Sequence, residues 1–177
     1  MPVVNADVAA VFEKTADLHR SCGGRLLEVG RRRNIMLKVL IAVDGSVHAR
    51  RAIEAVVRLQ AQTKGLEALL VNVRQWPVLY GDLPPLSYQS IERDQIQRQK
   101  ELLETTQAAA RRSGLELVST RSEAGEPASE ITRVAEENGV DQIVMGTHGR
   151  SAVGSLLIGS VAQRVVHLAK VPVLLVK

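Results

Sequence analysis

Residues 144–166 read VMGTHGRSAVGSLLIGSVAQRVV, with glycines at 146, 149, 154 and 159 and a serine directly after the last. The run joins a short apolar stretch to a segment of helical periodicity. Glycine lacks a Cβ, so at Gly146 and Gly149 the backbone can turn tightly and a ligand can approach the main chain. Gly159-Ser160 stands where a helix opens. The first amides of a helix have no intrahelical partners, and the helix dipole adds partial positive charge there. Such an end attracts anions, phosphate above all. Ser160 adds a hydroxyl that can donate to a ligand or cap the helix. From these residues alone the stretch is either a phosphate-binding surface or a glycine-rich loop with an ordinary N-cap.

Other reactive side chains are few. His148 is the most conspicuous, but a general base needs a nucleophile within hydrogen-bond reach. No supporting triad accompanies it, so it is expected to line a pocket or face solvent. His48 and His167 fall on helical segments and read as structural or exposed. Arg150 either screens phosphate charge or is solvated. Gly154 to Ser160 lacks the lysine of GxxxxGK[ST], so strong hydrolysis of a bound nucleotide is not expected. Asp44, after LIAV, either faces a ligand or holds its own Asp-Gly turn or helix start.

Composition narrows the classes further. Cys22 is the one cysteine, so there is no intramolecular disulfide, no CxxC and no zinc-ligand spacing. The net charge is +4, with much of the excess in Arg31, Arg32 and Arg33 and a basic pair at Arg111-Arg112. Aromatics make up only 2% and do not alternate with these charges, so stacking on nucleic acid is not expected. No apolar run approaches the ~20 residues of a membrane span, and the N-terminus lacks the apolar core of a secretory signal. A cytoplasmic setting without a membrane partner is the expectation.

The elements that must position these residues alternate from residue 36 onward. Short apolar runs at 37–43, 66–73, 115–123, 142–146 and 171–176 read as strands. Helical periodicity fills 46–64, 88–113, Pro127 to about 138, and 159–170. Ala49, Ala52, Ile53, Val56 and Val57 make the inner face of the first helix, and Ile96, Leu103 and Ala110 that of the second. Gly65, Gly114 and Gly139 stand as helix ends. The third strand is the least apolar and belongs near an edge. This rhythm calls for an α/β fold, a five-stranded parallel sheet with helices on both faces. Ligands in such sheets bind past the carboxyl ends of the strands, where Asp44, Val73 and Gly146 fall. Residues 74–90 form a long connection holding Trp76, Tyr80 and Tyr88, whose rings are expected to pack the loop onto the sheet or to serve a lid. Residues 1–35 stand outside the rhythm. They read as an N-terminal extension, one weak helix and a linker, either dispensable, regulatory or a start-site artefact.

The pattern G-x2-G-x9-G-[S/T] after a fourth strand resembles the ATP-binding signature of the universal stress protein family. Here it is Gly146, Thr147-His148, Gly149, nine residues from Arg150 to Ile158, and Gly159-Ser160. LIAVDGS at the first strand and the terminal VPVLLV match as well. The resemblance covers about residues 36–177 and none of 1–35. It implies a Rossmann-like sheet of order 3-2-1-4-5, with ATP at the switch between strands one and four and Mg²⁺ as its counter-ion. It also implies a homodimer paired through the last strands.

By that resemblance Ala42 and Val73 would offer backbone around the adenine, and Asp44 would face the ribose or the metal. Met145, Gly146, His148 and Gly149 would line the ribose and phosphate turn. Gly159, Ser160 and Val161 would hold the distal phosphates. No catalytic residue is assigned. The expected function is a nucleotide-dependent regulatory module of the stress response, read by a protein client. A slow ATPase or phosphotransferase in the same pocket, and a nucleotide-free interaction dimer, are the alternatives.

Overall fold

The structure is a computed structural model that describes residues 36–63, 65–76, 85–150 (side chains from 89) and 158–177. The helix expected within 1–35, Tyr80 and the Tyr88 ring, and residues 151–157 of the glycine-rich stretch lie outside the described residues.

From residue 36 the elements are β1 (Leu37–Ala42), α1 (Val47–Gln60), β2 (Leu66–Arg74), α2 (Pro85–Arg112), β3 (Leu117–Ala124), α3 (Pro127–Glu137), β4 (Gln142–Gly146), α4 (Ser160–Leu168) and β5 (Val173–Val176). All strand pairs are parallel and the order is β3-β2-β1-β4-β5, as the resemblance implies. β1 sits centrally, with Ala42 opposite Val71 on one side and Met145 on the other.

The central strands are continuously apolar because helices cover both faces. Val39, Ile41, Val43 and Leu70 pack under α1 and α2 with Ala52, Val56 and Leu103. Leu40, Val71, Ile143 and Met145 pack under α3 and α4 with Ile131, Val134 and Val165. Each fully buried side chain such as Leu40 or Ile143 contributes roughly 1.5–3 kcal/mol. The less apolar β3 is one edge and β5 the other.

Three details differ from expectation. Gly65 does not cap α1, which ends at Gln60 with Ala61 as its C-cap. Instead the Gly65 carbonyl accepts from the Leu37 amide at 3.1 Å, at the entry to β2. On α2, Ile96 is 47% exposed, while Gln99 is 7% exposed beside Leu103 and Ala110. Gln99 bonds Asn72 and Glu123, close to the carboxyl ends of β2 and β3, so the helix before it rises past the apolar layer. Trp76 does not pack onto the sheet either. It is 60% exposed, with the Arg74 guanidinium 5.3 Å from its ring centroid.

Candidate functional site: a cleft at the strand ends

β1 is followed by the Asp44-Gly45 turn, with Gly45 at φ 83°, a conformation that side chains disfavour. Asp44 Oδ1 accepts from the Ser46 amide at 2.9 Å and holds that turn. The α1 cap is Ser46, whose Oγ accepts from the Ala49 amide at 3.1 Å. The second Asp44 oxygen accepts from the Arg150 amide at 3.1 Å. One carboxylate thus ties the loop after β1 to the loop after β4, across 106 residues of sequence.

The glycines of the second loop have neighbours of their own. A Cβ on Gly146 would stand 2.5 Å from the His48 Cβ and 2.9 Å from the His48 carbonyl carbon. On Gly149 it would meet Asp44 Oδ2 at 2.8 Å, and on Gly159 the Thr147 carbonyl oxygen at 3.2 Å. The side-chain direction of each of these three glycines is therefore filled by protein. At Gly146 it is the start of α1 that requires the missing Cβ, a contact between elements a hundred residues apart.

Thr147 joins two elements. Its amide donates to the Val176 carbonyl and its carbonyl accepts from the Gly159 amide, both at 2.8 Å. Gly159 is the N-cap of α4, and no side chain among the described residues caps that helix. Ser160, offered by its sequence position as a cap, instead occupies the first helical position and is exposed. The amides of the first α4 turn, which have no intrahelical partners in any helix, therefore lack a side-chain cap among the described residues as well. α1 and α3, by contrast, are capped by Ser46 and Glu126.

His148 Nδ1 lies 3.1 Å from Thr147 Oγ1, and its ring centroid is 5.4 Å from that of His48. Its Nε2 is buried and has no hydrogen-bond partner among the described residues.

These loops bound a cleft of about 640 Å³ above the strand ends, a size typical of small-molecule sites. Ala42, Asp44, Val73, Met145, Gly146, His148, Gly149, Gly159, Ser160 and Val161 all line it. A further wall comes from α2, through Gln95, Arg98, Gln99 and Leu102, with Asn72 and Arg74 from β2. Sequence reasoning missed these residues. The spacing 95, 98, 99, 102 marks one helical face, but a polar face normally signals solvent. Pro127 and Ile131 of α3 line the other side.

Among the described residues Arg74, Arg98 and Arg150 line the cleft with one acid, Asp44; Arg74 is paired with Glu92, and the other two arginines still favour an anionic occupant. Among the described residues no group of three or more His, Cys, Asp or Glu gathers to hold a metal, and no helix is long and apolar enough to cross a membrane.

A parallel sheet of this order, open at the crevice between β1 and β4, defines a doubly wound α/β protein of the Rossmann-like type with its cleft at the switch point. The chain belongs to the universal stress protein family, whose profile matches residues 36–177. A universal stress protein of Thermus aquaticus is 37% identical over 140 residues, 78% of this chain and 97% of that protein. The structure of a universal stress protein from Archaeoglobus fulgidus superposes with a TM-score of 0.62 at 26% identity, covering 80% of this chain and 98% of that one. A universal stress protein from the same organism, solved in complex with dAMP, gives 0.59 at 23% identity, covering 82% and 100%.

Proposed function

We propose that the cleft binds ATP and that the bound form acts as a regulatory module of the stress response. The observation that carries this is the start of α4, uncapped by any described side chain, opening into a cleft whose described lining has three arginines and one aspartate. Open amides at a helix N-terminus favour phosphate. The Archaeoglobus neighbour with dAMP supports an adenine nucleotide as the class of ligand.

In this reading Gly159, Ser160 and Val161 hold the distal phosphates. Met145, Gly146, His148 and Gly149 line the ribose and the phosphate turn. Ala42 and Val73 supply backbone around the base. Mg²⁺ enters with the phosphates, whose charge it neutralises. Asp44 fits a place beside ribose or metal, because a carboxylate that accepts two amides keeps further lone pairs. The missing P-loop lysine makes this a binder more than a hydrolase. A homodimer paired along β5, read by a protein client, completes the proposal.

Thermal unfolding in the presence of ATP tests it. At 100 times Kd a ligand adds ~2.7 kcal/mol of stability, which for a chain this size raises the midpoint by roughly 5–10 °C. A midpoint unmoved by millimolar ATP would sink the reading. Mass spectrometry of nucleotide released from the purified protein is the complementary measurement.

A further inference from the structure

The α2 wall of the cleft carries unspent hydrogen-bonding capacity. Gln99 is anchored, its Nε2 donating to the Asn72 carbonyl at 2.9 Å and the Glu123 carbonyl at 2.8 Å. Those bonds fix the height of the helix against β2. One helical turn back to Gln95 is a rise of about 6 Å. Two residues along β2, from Asn72 to Arg74, is about 6.6 Å. Gln95 therefore stands level with Val73 and Arg74, where the strand ends and the cleft begins.

Two polar atoms at that level are buried without a partner among the described residues, Gln95 Oε1 and Arg74 Nη1. Both side chains line the cleft. The rest of the Arg74 guanidinium is engaged, with Nη2 3.4 Å from Glu92 Oε1 and the plane over Trp76. Buried polar atoms are nearly always paired, so an orphaned acceptor and an orphaned donor at one level of the cleft wall point to an absent ligand group. The terminal torsion of a glutamine is soft, so Oε1 can turn into the cleft without moving the helix.

The sheet says which part of a nucleotide would meet them. β2 and β4 lie on opposite sides of β1, about 9.6 Å apart at ordinary strand spacing. Phosphates at the start of α4 sit on the β4 side. The base then extends across β1 to β2 and under α2. This inference rests on the adenine-nucleotide reading above.

We propose that Gln95 selects the base, its amide oxygen accepting from the exocyclic amino group of adenine while Arg74 Nη1 donates to a neighbouring ring nitrogen. Adenine presents a donor beside an acceptor on both its exposed edges. A glutamine amide is a natural partner for that pattern. Guanine places a carbonyl where the amino group would be, and two acceptors then face each other.

Isothermal titration of the full chain with ATP, GTP and inorganic tripolyphosphate tests this. The wild-type protein prefers ATP to GTP. Gln95→Leu weakens ATP about tenfold and leaves GTP unweakened, so the preference collapses. Tripolyphosphate binding stays at the wild-type level, which a structural defect would not spare. Gln95→Met, closer in length, carries the same test if the leucine variant fails to fold. An ATP-to-GTP ratio unchanged in a folded variant overturns base selection and leaves ATP binding standing, as does equal loss of all three ligands. A wild-type protein that binds none of the three overturns both readings.

Discussion

Replacing Gly146 with alanine separates two reasons for a glycine at the end of β4. If the residue is small for a ligand, the unliganded protein should not notice a methyl group. The structure gives a different reason. The new Cβ would lie 2.5 Å from the His48 Cβ, 2.9 Å from the His48 carbonyl carbon and 3.2 Å from the Ala49 amide nitrogen. Carbon atoms pack best at about 3.5–4.0 Å, so the strand end and the start of α1 must part by about 1 Å. Two of the three contacts are backbone, in a turn fixed by the Ser46 cap, and Ala49 is buried behind them. No side-chain rotation relieves them. Overpacking of this kind costs about 1–3 kcal/mol, equivalent to a fall in Tm of roughly 3–10 °C. Thermal unfolding by circular dichroism without nucleotide measures it. Gly149→Ala is the internal comparison. Its one close contact is Asp44 Oδ2, which can swing away at the expense of the Arg150 bond, about 1 kcal/mol. A Gly146→Ala midpoint within about 1 °C of wild type would refute the packing argument.

Three further outcomes are expected. Ser46→Ala removes the α1 cap and lowers stability by about 1 kcal/mol, read from the denaturant midpoint. Gln99→Leu removes the two bonds to the Asn72 and Glu123 carbonyls and costs about 1–3 kcal/mol in the same assay. Gln97→Leu, which loses only an exposed bond to Glu101, should fall well short of it. For Glu126, burial raises the carboxyl pKa, but bonds from the Ser129 hydroxyl and the Ser129 and Ala128 amides, with Arg164 nearby, outweigh it and hold it below the ordinary 4.5. Its contribution to stability is therefore complete above the unfolded value and is lost as pH falls through the lower folded value. Glu126→Gln should flatten the stability–pH curve below about 4.5, and an unaltered acid limb would count against this account.

The fold was legible because its signals are local. LKVLIAV and QIVMG announce strands buried on both faces, and the alternation of short apolar runs with helical periodicity dictates a parallel sheet. The glycine spacing at 146, 149 and 159 led to residues that do gather on one cleft. What stayed illegible depends on long-range placement. Ile96 extended the apolar stripe of α2, yet Gln99 is the buried residue, because that part of the helix overhangs the strand ends. Gly65 resembled a helix cap, but its role is set by pairing with Leu37, twenty-eight positions earlier. Asp44 offered a cap, a turn or a ligand contact. Its bond to the Arg150 amide could not be read from either segment alone.

The peptide units flanking Thr147 face two ways, with the amide held by the last residue of the outermost strand and the carbonyl by the N-cap residue of α4. Tilting either unit strains a bond on one side or displaces the other. The rim of the sheet and the floor under the helix start therefore cannot relax separately, and a force applied at one is met two hydrogen bonds later at the other.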